Sequence, residues 1–259
     1  MTTPAANEPF FIGWSGKLPR ELVRFYLGVG LVALVVFGGL GLFLGGGIDD
    51  PSRNLFAARP GQSVAKPEGW MGDQKFSGSL TLLPYPVLHV SASAGGPVER
   101  SMLLSGSGKR GVETRETARR VVAEGGLLRR GDIDMLVVDE PVNVSAEKAS
   151  PPAVQPLGRW RSVGEICDGK CYPGGMTPGF GLAHRACATV CLVGDVPAIF
   201  VVAEPIDGAS FLLLAGPDGG PPGAWIRDLI ARPLELQGAV ERVGTMLIFK
   251  VDPDKARLL

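Results

Sequence analysis

Apolar residues are spread along this chain in three different ways. From Leu27 to Leu44 they run without a single charge, and Gly45 to Ile48 extends the run to the length that crosses a bilayer. That pattern predicts a transmembrane helix over 25–48, with Phe25 and Tyr26 as interfacial aromatics at its start. Residues 49–72 show no period and many turn formers, so they read as a linker. Beyond them, apolar residues come in short runs cut by Gly and Pro, which is the pattern of strands rather than of a helical bundle.

The strand-like part carries an internal repeat. Ser101-Met-Leu-Leu-Ser-Gly106 is echoed by Ser210-Phe-Leu-Leu-Leu-Ala-Gly216. Glu124 to Gly131 with Met135 to Asp139 is echoed by Gln237 to Gly244 with Met246 to Asp252, each a strand, a tight turn and a returning strand. Each unit opens on a strand with an internal glycine, Lys75 to Leu82 and Arg161 to Ile166, as expected where a small barrel coils sharply. Short helical stretches are expected before each hairpin, over Thr114 to Arg120 and Ala224 to Ala231. The expected fold is therefore mainly β, with two small OB-like barrel modules over 73–142 and 158–259. A Pro/Ala/Ser-rich linker, 143–157, would join them and leave each with its own core.

Charge and composition narrow the partners. Lys plus Arg and Asp plus Glu are equal at 26 each, so no global field draws nucleic acid, and no basic stripe or aromatic platform offsets that. Nucleic acid is excluded as a partner. Lys17, Arg20 and Arg24 precede the apolar run and Asp49 and Asp50 follow it, which places residues 1–24 in the cytoplasm and the bulk of the chain in the bacterial periplasm. No cleavage site follows the run, so it reads as a retained single-pass anchor in the inner membrane and its lipid bilayer. Phe10, Phe11, Ile12 and Trp14 form an apolar cluster that suits the membrane interface or a membrane-embedded partner. Gly41 and Gly45 would let another helix approach the span closely.

The chemistry gathers in one stretch. All four cysteines lie within residues 166–197, which the second unit inserts where the first passes directly between strands. Ala183 to Val193 has no Pro or Gly and predicts a short helix, on which His184, Cys187 and Cys191 share a face. Upstream, Cys171 opens a loop with Pro173, Gly174, Gly175, Pro178 and Gly179 that can fold back onto that helix. The expected site is one metal ion held by Cys171, His184, Cys187 and Cys191, with Cys167 as an occasional further ligand. Soft thiolates and one imidazole suit zinc or copper(I) and disfavour calcium and magnesium. Two alternatives stand beside it: structural disulfides, which an oxidising compartment favours, and a redox-active pair, Cys187 and Cys191. There is no serine elbow, P-loop, dinucleotide fingerprint or haem-attachment motif, and the paired carboxylates lie in the linker (Asp49, Asp50) and in a hairpin turn (Asp132, Asp134), so no enzyme activity is expected. His89, in an apolar strand, reads as a packed or edge residue.

Asp168, Lys170, Cys171, Tyr172, Gly174, Met176, Pro178 and Gly179, followed by His184, Cys187, Ala188 and Cys191, resemble a motif of uncharacterised bacterial membrane-anchored envelope proteins. Its form is Asp-x-Lys-Cys-Tyr-x-Gly-x-Met-x-Pro-Gly and then His-x-x-Cys-Ala-x-x-Cys, and Cys167 lies outside it. The resemblance implies a companion of membrane cytochrome systems. The expectation is a non-enzymatic accessory subunit of a membrane redox (electron transfer) complex, carrying a Cys/His metal-binding module.

Overall fold

The computed structural model describes residues 20–47, 67–93, 95–114, 116–138 and 142–259. The apolar cluster at Phe10 to Trp14 and most of the expected 49–72 linker lie outside them. An N-terminal helix, α1 (Arg20–Gly47), is formed by the apolar run, and its Arg20–Leu42 portion is long and apolar enough to cross a membrane. This helix is one compact unit, and the β-rich remainder is another.

The β unit is built from two five-stranded closed barrels with the same plan. The first uses β1 (Pro67–Thr81), β2 (Val87–Val90), β3 (Arg100–Gly106), β4 (Arg119–Arg130) and β5 (Ile133–Val138). They close in the ring order β1-β2-β3-β5-β4 and back to β1, and β6 (Asn143–Lys148) adds to the edge of β4. The second uses β7 (Val154–Asp168), β8 (Ala198–Ile206), β9 (Ala209–Ala215), β10 (Pro233–Val243) and β11 (Met246–Val251) in the ring order β7-β8-β9-β11-β10, with the short β12 (Arg257–Leu258) beside β10. In each ring one pair is parallel, β3 with β5 and β9 with β11, and the other pairs are antiparallel.

The repeat read from the sequence is matched in the register at its strand glycines. Gly78 faces Val90 as Gly164 faces Val202, and Gly125 faces Val138 as Gly238 faces Val251. A side chain at Gly78 would put a Cβ 2.0 Å from the His89 carbonyl oxygen, and one at Gly164 would put it 2.2 Å from that of Val201. The glycines stand where the opening strand passes almost in contact with its neighbour. A tightly coiled small barrel needs that close approach.

Two expectations change. Thr114 to Arg120 is not helical among its described residues, because Arg119 and Arg120 are drawn into β4. The Arg120 guanidinium is buried there and donates to Ser77 Oγ (2.8 Å), Ser91 Oγ (3.2 Å) and the Ser91 carbonyl. The counterpart in the second barrel is a 3₁₀ turn, Ala224–Asp228, within the expected stretch. Residues expected as linker also carry strand, since β6 and the first residues of β7 lie within 143–157.

The two barrels also meet through their cores. Leu80, Leu88, Met102, Leu104, Leu127 and Leu136 fill the first barrel. The alternate residues of the same strands, Val87, Leu103, Leu128 and Met135, belong instead to a larger core with Phe200, Leu213, Leu236 and Phe249 of the second barrel. Strands of the first barrel are thus buried on both faces, one lining that barrel's own core and the other packing into a larger core joined with the second barrel.

Candidate metal centre

Residues 169–197 connect β7 to β8, where the first barrel spans the matching gap with residues 82–86. The connection starts at a buried carboxylate. Asp168 Oδ1 accepts the backbone N–H groups of Lys170 (3.2 Å) and Cys171 (2.8 Å), an Asx-type turn that lifts the chain off the end of β7. Cys171 then opens a single π-type turn, Cys171–Gly175. The loop that follows folds back on it, because Gly179 passes so close that a Cβ would lie 2.3 Å from the Cys171 carbonyl oxygen. Arg130 of the first barrel secures this loop. Its guanidinium lies 4.7 Å from the Tyr172 ring centre and 5.4 Å from that of Phe180, and donates to the Tyr172 carbonyl at 3.0 Å.

The expected helix is present as a 3₁₀ turn, Leu182–His184, running into α2 (Arg185–Val193). Cys187 and Cys191, one turn apart on α2, both face Cys171. The Cys171 sulfur is 3.9 Å from each of theirs, and all three sulfurs lie within 4.8 Å of one another. All four thiols of the chain are free in the structure. Cys171 and Cys191 are buried, and Cys187 is half-exposed. The Cys171–Cys191 hydrogen bond pulls the two thiols apart in acidity, holding Cys191 down and pushing Cys171 up.

His184 falls in a second, overlapping group with Asp168 and Cys171, each offering a ligand atom within 4.8 Å of the others. Its Nε2 is 2.8 Å from Asp168 Oδ2, and both side chains are buried. Its other nitrogen, Nδ1, is buried and has no hydrogen-bond partner among the described residues. An imidazole tied to a carboxylate through one nitrogen, with the other held dry and unpaired, is the arrangement seen at metal-ligating histidines. Cys167 belongs to neither group. It ends β7 with its thiol donating to Glu165 Oε1 at 3.3 Å, and burial pushes its pKa well above the usual thiol range.

Two residues at this centre were not assigned a role by the sequence. Asp168 was visible as an acidic residue three positions before Cys171, and that spacing is itself a turn signal. Lys109 stands beside Arg110 in the sequence, a short basic pair far from the cysteines. It comes from the β3–β4 connection of the first barrel and donates to Cys187 Sγ at 2.9 Å, which raises its own pKa. Nothing in the local sequence links residues 78 positions apart.

No family model, no curated protein and no solved structure matches this chain.

Proposed function

We propose that residues 166–197 hold one metal ion of the zinc or copper(I) class, with Cys171, Cys187 and Cys191 as thiolate ligands and His184 Nδ1 as the fourth. The carrying observation is the sulfur spacing. Thiolates at ~2.3 Å from a tetrahedral ion stand ~3.8 Å apart, whereas disulfide sulfurs are ~2.05 Å apart. The Cys171 sulfur lies 3.9 Å from both partners. The unpaired Nδ1 of His184, oriented through Asp168, supports the fourth position. A closed set of four protein ligands makes the ion structural or carried; catalysis would need an open position.

The wider reading is a membrane-anchored periplasmic accessory subunit of a membrane redox complex, with α1 as its anchor in the inner membrane and a membrane-embedded partner beside it. The length and apolarity of α1, with Lys17 ahead of it and Arg20 and Arg24 in its first turns, support the anchor and its orientation. We read both barrels as OB-type, from their ring order and parallel third pair, and 166–197 as an insertion into the second. Aromatic platforms and basic grooves that would fit nucleic acid are not part of this reading. A reporter fused after Leu259 should be active only in its periplasmic form, and cytoplasmic activity would reject the orientation.

The site is tested by metal and thiol analysis of the full chain purified in detergent. One equivalent of zinc or copper is expected per chain, with metal content reduced in His184→Ala. Asp168→Asn should weaken affinity roughly 10- to 100-fold in a competition titration, because the imidazole loses its orienting carboxylate. A parent chain with neither metal nor free thiols, and unchanged stability in His184→Ala, would mean that the cysteines are disulfide staples. Metal-free thiols that cycle between the dithiol and disulfide states of Cys187 and Cys191 would favour an oxidoreductase.

A further inference from the structure

The burial of the four ligands is uneven, and the unevenness has a direction. Cys171, His184 and Cys191 are buried, while Cys187 is half-exposed and its contact with Lys109 lies at the protein surface. Lys109 is itself exposed and reaches the site from the other barrel. Its loop is tied down on both sides of the centre. Lys170, next to Cys171, donates from Nζ to the carbonyls of Gly106 (2.7 Å) and Gly108 (2.8 Å). Gly111 N–H donates to the carbonyl of Gly194, just past α2, at 2.7 Å. At Gly194 a Cβ would lie 1.8 Å from the Lys109 carbonyl oxygen, so the backbone of the two barrels meets there with no room for a side chain. Lys109 is therefore not a loose surface cation that happens to lie near a sulfur. Its backbone is anchored so that the ammonium stands beside the one ligand that solvent reaches.

Resting on the metal reading above, we infer that Cys187 is the exchange point of the site and that Lys109 recruits the incoming group, an anionic chelating ligand. In the exchange step the incoming anion donates a lone pair to the ion. The metal–sulfur bond to Cys187 breaks with its electron pair staying on sulfur, and the ammonium of Lys109 stabilises the released thiolate. Oxidation states do not change and no proton is required. Cys171, Cys191 and His184 hold the ion until further anionic groups complete the transfer. At a site meant only to staple the fold, a cation beside the single exposed ligand would do no more than steady the bound thiolate. A site that hands its ion on needs both.

The test uses the full chain in detergent, loaded with zinc, and follows zinc release to EDTA, which is anionic, and to TPEN, which is uncharged. Lys109→Met is expected to slow release to EDTA about three- to tenfold and to lower the ratio of EDTA-driven to TPEN-driven rates, since a positive charge at an entry point raises the arrival rate of anions. Lys109→Arg should restore that ratio. Iodoacetamide added during exchange should label Cys187 before Cys171 and Cys191. If Lys109→Met releases zinc faster to both chelators, the lysine only steadies a bound thiolate, and the inference is overturned. Unchanged rates, or labelling that begins at a buried cysteine, would overturn it as well. A parent chain that takes up neither zinc nor copper defeats the metal reading itself, and this inference with it.

Discussion

At the scale of single residues, buried polar side chains here do more than fill space. His89 is buried between two hydroxyls, with Nε2 2.9 Å from Thr81 Oγ1 and Nδ1 2.8 Å from Ser101 Oγ. Ser101 in turn exchanges hydrogen bonds with Thr245 of the second barrel, at 2.8 Å and 2.9 Å. The ring is thus neutral and part of the contact between barrels, and burial lowers its pKa to about 4. Unfolded, the same ring titrates near 6.5, so below that pH the unfolded chain binds a proton that the folded chain refuses. Its contribution is fully present above about 6.5 and is lost as pH falls towards 4, by up to ~3 kcal/mol. Urea unfolding at pH 7 and pH 4.5 should show a larger drop for the parent than for His89→Gln. Equal drops in the two proteins would mean that His89 does not couple folding to pH. His89 was legible as a packed residue from its apolar surroundings, but its partners, on β1, β3 and ultimately the second barrel, were not.

At the scale of elements, the glycines of the opening strands were readable and their necessity is now geometric. Gly164 sits where a Cβ would meet the Val201 carbonyl oxygen at 2.2 Å and the Phe200 ring at 2.8 Å. A ring can turn aside, but a paired backbone carbonyl cannot. Gly164→Ala should therefore destabilise the fold by on the order of 3 kcal/mol, at or beyond the upper end of overpacking costs, and Gly78→Ala similarly. A loss below about 1 kcal/mol in thermal or urea unfolding would show that the strands can separate cheaply. The helix α2 was readable too, because an uninterrupted stretch with Cys and His on one face has few other uses. The failure over Thr114 to Arg120 has a clear cause. Local propensity allowed a helix, but the buried Arg120 finds its acceptors only from a strand position beside Ser77 and Ser91.

At the scale of the whole molecule, the shared core alters what can be taken apart. Val87, Leu103 and Met135 of the first barrel are buried with the core of the second, so residues 154–259 produced alone would expose that face. The isolated second half is expected to aggregate or to show little protection from hydrogen exchange, and to gain protection when residues 67–150 are co-expressed with it. Independent, cooperative folding of 154–259 would show that the joint core is a contact and not a requirement. The centre has the same dependence. Lys109, Arg130 and the loop 106–111 all come from the first barrel, while every proposed ligand comes from the second.

The sequence by itself determined the long apolar helix, the mainly β character, the duplicated strand plan and the one stretch in which chemistry could gather. Each of these is written in local order: a run of hydropathy, an alternation, a spacing of three or four residues. Only the tertiary structure decided that three sulfurs converge while Cys167 stands apart beside Glu165. It also decided that His184 is oriented by Asp168, that Lys109 donates to Cys187 and that one core joins the two barrels. Those outcomes depend on which faces of separate elements meet after the rings close. Strand periodicity says that a strand has two faces, not that both will be covered.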